Sequence, residues 1–418
     1  MKEGIVPVRR TYPGVYIEEV PSGVRPVTAV AISTAAFIGT FRKGLLNEAV
    51  QLFSLADFER EYGGLERNSE ASYAIQQFFL NGGTEAWVVR VGHDAKEAVI
   101  KLKSEIGSGG KNVVNVRAGR FIRGAQAINP GAWGNFLRVE VDHNGTADNA
   151  TFNLTISEVR VDGDRTTVLQ AETFPGLTMT PDTPNNAIDV VNQGSRLVTL
   201  DRTDLDALDM PAPRPAASGT VGGALPNDVP DVDDRVNLRV NLHLHGTTAG
   251  APFPINLKRH LETLTSKPPP TFAQWAQTFE RAIREAGTHR DLPPALRAYL
   301  TGATVRIVGD GSSATNPRRF VVKAGTGARP YDPRAELRFS GPDAGRFGMA
   351  APDSIGPQQF IPTEDGRDGT VLDTEGNYKV PASAFRGSPG KKTGMYALED
   401  VDLFNVLAIP DAPRLTKP

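Results

Sequence analysis

The hydrophobic pattern of the chain opens with an extended arm and then turns apolar at nearly every position. Pro7, Pro13, Pro21 and Pro26 rule out a helix over residues 1–26, since each lacks an N–H and holds the residue before it extended. Between Pro13 and Pro21 lie Val15, Tyr16, Ile17, Glu18, Glu19 and Val20. A β-prone run bounded by prolines suits an edge strand, or one lent to another sheet. Residues 27–41 follow, small and apolar (Val30, Ala31, Ile32, Ala35, Ala36, Phe37, Ile38), as in a strand buried on both faces. An exposed pairing strand tethered to a core strand is an assembly device more often than a catalytic one.

Period 3.6 appears next. Ser54 is placed to cap a helix over 54–63, with Asp57 as an approximate capping box and Gly63 as the left-handed stop. A second helix is predicted over 69–80, with Tyr73, Ile75, Phe78 and Phe79 as its apolar stripe and Asn81-Gly82-Gly83 as its end. Residues 86–91 read as a second buried strand. Strand, helices and strand in that order predict a crossover unit on a partly parallel sheet. A short helix is predicted over 97–106.

Alternation then takes over at 136–141, 152–156 and 158–161, with Asp162-Gly163 as a two-residue turn. Residues 210–230, rich in Pro, Ala, Gly and Asp, predict a flexible connection or surface loop. Alternation returns over 235–244. Thr271 as N-cap, Phe272, Trp275, Phe279 and Ile283 at helical spacing, and Gly287 as the stop predict a helix over 271–286 with its aromatic stripe in the core. A short helix at 294–300 and strands at 304–308 and 319–322 follow, and 341–390 is loop-rich. Residues 403–409 read as one more buried strand.

These elements predict a multidomain α+β / α/β chain, in keeping with a soft prior of about 150 residues per domain. An extended N-terminal arm (1–25) precedes an α/β core domain in two parts, 26–129 and an incomplete 393–418. A β-rich α+β domain with a loop-rich return is inserted over 130–392. Trp133, between glycines, is expected to pack where the chain passes from one to the other.

Charge and composition narrow the partners. Lys plus Arg number 46 against 48 Asp plus Glu, a net charge of −2, which recommends neither nucleic acid nor insertion into a membrane. The chain has no cysteine, which excludes disulfide and thiolate chemistry and fits an intracellular product. No apolar run reaches the ~20 residues of a bilayer span, and Met1-Lys2-Glu3-Gly4 opens no secretory signal. A soluble cytoplasmic product is expected.

Candidate chemistry is sparse. Gly107-Ser108-Gly109-Gly110-Lys111 has the wrong spacing for a phosphate loop and is followed by Asn112 rather than Ser or Thr; it reads as a turn. Gly309-Asp310-Gly311 is too little of a dinucleotide fingerprint. His243 and His245 share a strand face, but His260 is the next histidine, so an exposed polar face is the stronger reading than a metal site. The sequons at Asn144, Asn149 and Asn153 read as polar loop and strand residues. Asp400 and Asp402 alternate without a catalytic partner and suit a solvated strand entrance. No catalytic, cofactor-binding or metal-ligating residue is assigned, and no enzyme activity is expected.

Four segments carry a resemblance. Tyr12-Pro13-Gly14-Val15-Tyr16 with Val30-Ala31-Ile32 and Ala36-Phe37-Ile38-Gly39 come first. Phe78-Phe79-Leu80-Asn81-Gly82-Gly83 with Trp87-Val88-Val89-Arg90-Val91, then Pro130-Gly131-Ala132-Trp133-Gly134-Asn135, then Leu398-Glu399-Asp400-Val401-Asp402-Leu403-Phe404-Asn405-Val406-Leu407 follow in order. With their connecting segments they span roughly the first 140 residues and the last 25, and they resemble the contractile tail sheath proteins of bacteriophages and phage-tail-like injection particles.

The resemblance implies a homo-oligomer of hexameric rings stacked helically around an inner tube protein, bounded by baseplate and terminal cap proteins. It implies contraction without nucleotide hydrolysis, driving the tube through a target cell envelope, and assembly in the cytoplasm into a virion or particle. Val15 to Val20 would be the strand exchanged between subunits, and a 25-residue arm reaches roughly 80 Å when extended. The inserted domain would lie on the outside. Family members continue past residues 403–409, whereas this sequence ends at Pro418, so the family's C-terminal part is expected to be lacking. A non-contractile cap or baseplate-proximal adaptor is the runner-up. A glycan-binding tail module, or a hydrolase with a convergent polar pocket, stays open on the residues alone.

Overall fold

The computed structural model describes residues 34–104, 111–120, 129–143, 150–163, 165–203, 213–231, 236–244, 253–264, 267–290, 292–314, 317–326, 332–369 and 380–415. The predicted arm strand (Val15, Tyr16, Ile17, Glu18, Glu19, Val20) lies outside the described residues, as do His245 and Gly107 to Gly110. Mixed helices and small sheets make the described part an α+β fold.

The chain enters on β1 (Thr34–Gly39), buried at every position. β2 (Ala49–Leu52), α1 (Leu55–Tyr62), α2 (Glu70–Leu80) and β3 (Glu85–Arg90) follow. β1 and β3 pair parallel, from Thr34 opposite Glu85 to Gly39 opposite Arg90, which is the crossover the pattern predicted. β2 joins the far edge of β3 antiparallel. Ser54 caps α1 by accepting the Asp57 N–H, and Gly63 closes it in the left-handed conformation. Ser69 caps α2.

The face of α2 differs from prediction. Tyr73 is 43% exposed, while Ile75 is buried as predicted, together with Ala71 and Ser72. A Cβ on Gly39 would collide with the Cβ of Ala71, so helix and strand lie too close for a larger side chain between them. Phe78 still reaches Phe37 edge-on, with ring centroids 5.6 Å apart.

A second core follows. β4 (Val99–Lys103) and β5 (Asn112–Ala118) pair antiparallel. β6 (Leu137–Asp142), β7 (Thr151–Asp162) and β8 (Arg165–Thr178) form an antiparallel sheet, and α3 (Ala187–Gly194) and β9 (Val198–Asp201) return the chain to β5. Their shared interior holds Val116, Trp133, Phe152 and Val191. The predicted helix over 97–106 is thus a strand: Val99, Ile100 and Leu102 are buried while Lys103 is exposed, and β5 supplies the partner. A buried strand, β4, thus precedes the Gly107 to Lys111 segment in the sequence, while the glycine spacing remains wrong for a phosphate loop. The strands predicted at 152–156 and 158–161 are one, β7, whose register shifts twice against β8.

The remaining elements are β10 (Thr220–Val221), β11 (Arg239–His243), β12 (Phe253–Asn256), α4 (Lys258–Leu264), α5 (Phe272–Gly287), α6 (Pro294–Thr301), β13 (Thr304–Val308), β14 (Arg319–Lys323), β15 (Glu336–Ser340), α7 (Ala382–Arg386) and β16 (Val406–Ala408). Thr271 caps α5, and Phe272, Trp275, Phe279 and Ile283 are all buried, as predicted. Phe279 packs 4.9 Å from Phe347 and 5.8 Å from Phe320, centroid to centroid. The expected surface loop within 210–230 holds at Pro226, Asn227 and Asp228, which are exposed, but not over 217–221. Ala217, Ser218, Thr220 and Val221 are buried, because small residues let this backbone thread between sheets. Ser218 N–H donates to Val141 O at 2.9 Å and Gly222 N–H to Phe320 O at 2.7 Å.

Candidate assembly site at a sheet edge

β16 completes the first sheet, whose order is β16-β1-β3-β2. It pairs parallel with β1, Val406 opposite Ala35, Leu407 opposite Ala36 and Ala408 opposite Phe37. The buried strand predicted over 403–409 is here an exposed one. Val406 is 53%, Leu407 44% and Leu403 50% exposed. The physical reason is that β16 stands at the rim: among the described residues no strand pairs with its outer edge.

Partnered residues of a parallel pair point to the same side. Val406 therefore stands on the face of Ala35 and Phe37, over the α1–α2 core, and Leu407 on the face of Ala36, with Phe385 and Leu398. Apolar groups on both faces suit an interior strand; on an open edge they template pairing with another chain.

The strand is fixed by its flanks. Asn405 N–H donates to Thr34 O at 2.9 Å. Beyond β16, Asp411 is 4% exposed and its Oδ2 accepts the Thr40 N–H at 2.8 Å and the Thr40 hydroxyl at 3.1 Å. Its Oδ1 accepts the Ala71 N–H at 3.1 Å. Ala71 lies in the first turn of α2, where N–H groups have no helical partner and a carboxylate is favoured by the helix dipole. A Cβ on Gly39 would stand 3.0 Å from Asp411 Oδ2, so glycine is what lets the carboxylate in.

Arg90, the last residue of β3, gathers the other segments. It is 2% exposed and donates from Nε to Phe41 O at 3.0 Å and from Nη1 to Gly44 O at 2.8 Å and Pro130 O at 2.7 Å. Asp368 lies 3.7 Å from its Nη2 and accepts the Ala132 N–H at 3.0 Å. Trp133, 2% exposed, donates its indole N–H to Asn129 O at 3.0 Å. The described parts of all four resemblance-bearing segments, far apart in sequence, thus meet on or against one sheet.

Other candidates are not brought together. His243 lies half-buried on β11, with burial, then Arg338, pushing its pKa down. His260 packs edge-on to His289, 5.8 Å between centroids, and stands 3.6 Å from Glu285, at an open groove of about 450 Å³. Sequence order hid this meeting, because the two rings are 29 positions apart. Among the described residues no group of three or more His, Asp or Glu is placed to hold a metal ion. Asn153 uses its side-chain oxygen to accept the Gly176 N–H at 2.9 Å. Asp400 is held by Lys392 at 2.6 Å on the surface. Among the described residues no helix is long and apolar enough to cross a membrane.

No family model matches this chain, and no curated protein does. Among the solved structures that align with part of it are two sheath tail proteins. The sheath tail protein of Listeria innocua is 17% identical with a TM-score of 0.28, covering 45% of this chain and 34% of its own. The sheath tail protein of Desulfitobacterium hafniense is 15% identical with a TM-score of 0.27, covering 48% and 38%. Each match concerns a minority of the solved molecule.

Proposed function

We propose that this chain is a structural subunit of a contractile tail sheath, assembling as hexameric rings stacked around an inner tube and contracting to drive that tube through a target envelope. The observation that carries the reading is the meeting of β1, β3, the Pro130–Asn135 segment and β16 at one mixed sheet, β16, β1 and β3 parallel, with an apolar open edge. Segments that resemble one family at four separate places would have no reason to converge if the resemblance were accidental. The open edge gives the convergence a use, since a strand with unpaired backbone groups and apolar side chains on both faces accepts another strand.

In this reading Val15 to Val20 of one subunit pairs with a sheet of its neighbour, and residues 130–392 face outward. Baseplate and cap proteins terminate the array, and the finished particle belongs to a phage or phage-tail-like assembly. Negative-stain electron microscopy of the full chain, beside a variant lacking residues 1–25, tests it. Rings or tubes that vanish on deletion support arm-mediated assembly. Monomers in both samples overturn the reading, and rings in both overturn the role of the arm.

A further inference from the structure

Two imidazoles meet at the open groove between α4 and the end of α5. His260 sits on α4 and is 8% exposed. Its chain neighbours Leu257 and Leu261 are 0% and 1% exposed, and the Leu261 N–H donates to Leu257 O at 2.9 Å. The turn that carries the His260 ring is therefore anchored in the core. His289 follows the end of α5 at Gly287. Its N–H donates to Ala286 O at 3.2 Å, and its carbonyl accepts the Leu292 N–H at 3.3 Å. Fixed backbone thus presents both rings.

Their spacing is that of two imidazoles sharing one ion. A nitrogen about 2.0–2.1 Å from a metal puts the ring centroid roughly 3.2 Å from it, so two such rings stand roughly 5.2 Å apart at a tetrahedral angle and 6.4 Å when opposed. The observed centroids are 5.8 Å apart, with the ring planes at 80°. Glu285 Oε1 lies 3.6 Å from His260 Nδ1, on a side chain 43% exposed and able to rotate. A carboxylate beside the second nitrogen is the usual companion of a metal-bound histidine, fixing its tautomer and ring orientation.

The ligand type selects the ion. Imidazole suits Zn2+, Ni2+ and Cu2+, whereas Mg2+ and Ca2+ take oxygen ligands. Lys258 and Arg259 also line the groove; Lys258 stands 3.8 Å from Glu262, and Arg259 is exposed. Coordinate bonds from neutral nitrogens hold such an ion, so the site does not depend on a net negative groove.

We propose that His260 and His289 form a two-histidine site for a late first-row divalent cation, Zn2+ foremost, with Glu285 as a positioning residue. The chain supplies two ligand atoms, and water from the open groove completes the coordination. The site goes beyond the sheath reading and does not depend on it.

Isothermal titration of the full, untagged chain with Zn2+, and in parallel with Mg2+, tests this. One Zn2+ per chain is expected, and no Mg2+ at the same concentrations. His289→Gln, at a half-buried position, should abolish Zn2+ binding with the near-UV circular dichroism unchanged, and His260→Gln should abolish it too. Should His260→Gln unfold the chain, His289→Gln still decides. Glu285→Gln should weaken binding about tenfold and shift the visible absorption of the Co2+-loaded protein, which a merely structural role would leave alone. His93→Gln and His243→Gln should change nothing. Absence of Zn2+ binding, equal binding of Mg2+, binding that survives His289→Gln, or binding lost in His243→Gln overturns the proposal.

Discussion

Replacing Asp411 with alanine should release the β16 segment while leaving the rest of the sheet folded. The carboxylate accepts two backbone N–H groups and a hydroxyl at 2.8–3.1 Å and is 4% exposed. Its loss leaves the N–H groups of Thr40 and Ala71 without an acceptor. An unsatisfied buried donor costs about 1–3 kcal/mol, and hydrogen bonds to a charged group are about twice as strong as neutral ones. Water entering the vacated space recovers part of this, so about 3 kcal/mol is the expected loss, a factor of roughly 100 in a local opening equilibrium. The loss should be local because β16 contributes little burial of its own: Val406 and Leu407 are about half exposed. Asp411→Asn keeps the shape but sets an amide N–H against one of the donors, so it should cost somewhat less, about 2 kcal/mol. Hydrogen exchange read by mass spectrometry on peptides covering 403–411 and, separately, 85–91 distinguishes local from global effects. Exchange should accelerate roughly 100-fold in the first and hardly in the second. Unchanged protection in 403–411, or equal acceleration in both, would refute the reasoning.

Phe279→Ala removes a ring that is 1% exposed and meets Trp275, Phe320 and Phe347 within 4.9–5.8 Å between centroids; a loss of about 3–5 kcal/mol is expected in urea unfolding, and under 1 kcal/mol would mean that the aromatic cluster repacks. Arg90→Met keeps the bulk but strips three carbonyl oxygens of their donor, so about 2–4 kcal/mol should be lost, with faster exchange in 41–47 and 129–135 as the local readout. The Asp57 carboxyl is held below the usual range by the Ser54 hydroxyl and then by Arg60. A depressed folded pKa adds stability above the unfolded value that is lost as pH falls through the folded one, so the Ser54→Ala deficit, about 1 kcal/mol at neutral pH, should shrink on acidification below pH ~4; a deficit constant with pH would sink that account.

What the sequence disclosed was local. Ser54, Asp57 and Gly63 announce α1 because capping is decided within four residues, and Phe272, Trp275, Phe279 and Ile283 announce the buried side of α5 because helical spacing fixes a face. What it hid was set by partners distant in the chain. Residues 97–106 mix helix formers with Val99 and Ile100, and only pairing with β5 tips them into a strand. The fourteen residues of β8 carry no clean alternation because both sides of its outer half are solvated. The buried thread at 217–221 has the composition of a loop, since Gly, Ala and Ser serve equally to turn freely and to pass between sheets. Arg90 looked like one more strand residue, and only the fold aims its guanidinium at carbonyls 40 or more positions away in either direction.

β16 joins legibility to function. Its sequence, apolar at Leu403, Phe404, Val406, Leu407 and Ile409, is what a strand covered on both faces and both edges requires. The described fold covers one edge and leaves the other bare, with Val406 and Leu407 half exposed on opposite faces. Natural sheets blunt a free edge with charge, proline or a bulge, and none interrupts Val406-Leu407-Ala408. Burial among the described residues does not reward both side chains, and exposure to water alone would select against them. A strand written for an interior yet placed at a rim suits the strand pairing proposed for this edge. The Asp411 clamp fits that use, because it holds the rim in register on β1 through backbone donors on β1's far end and on α2, without occupying the edge itself.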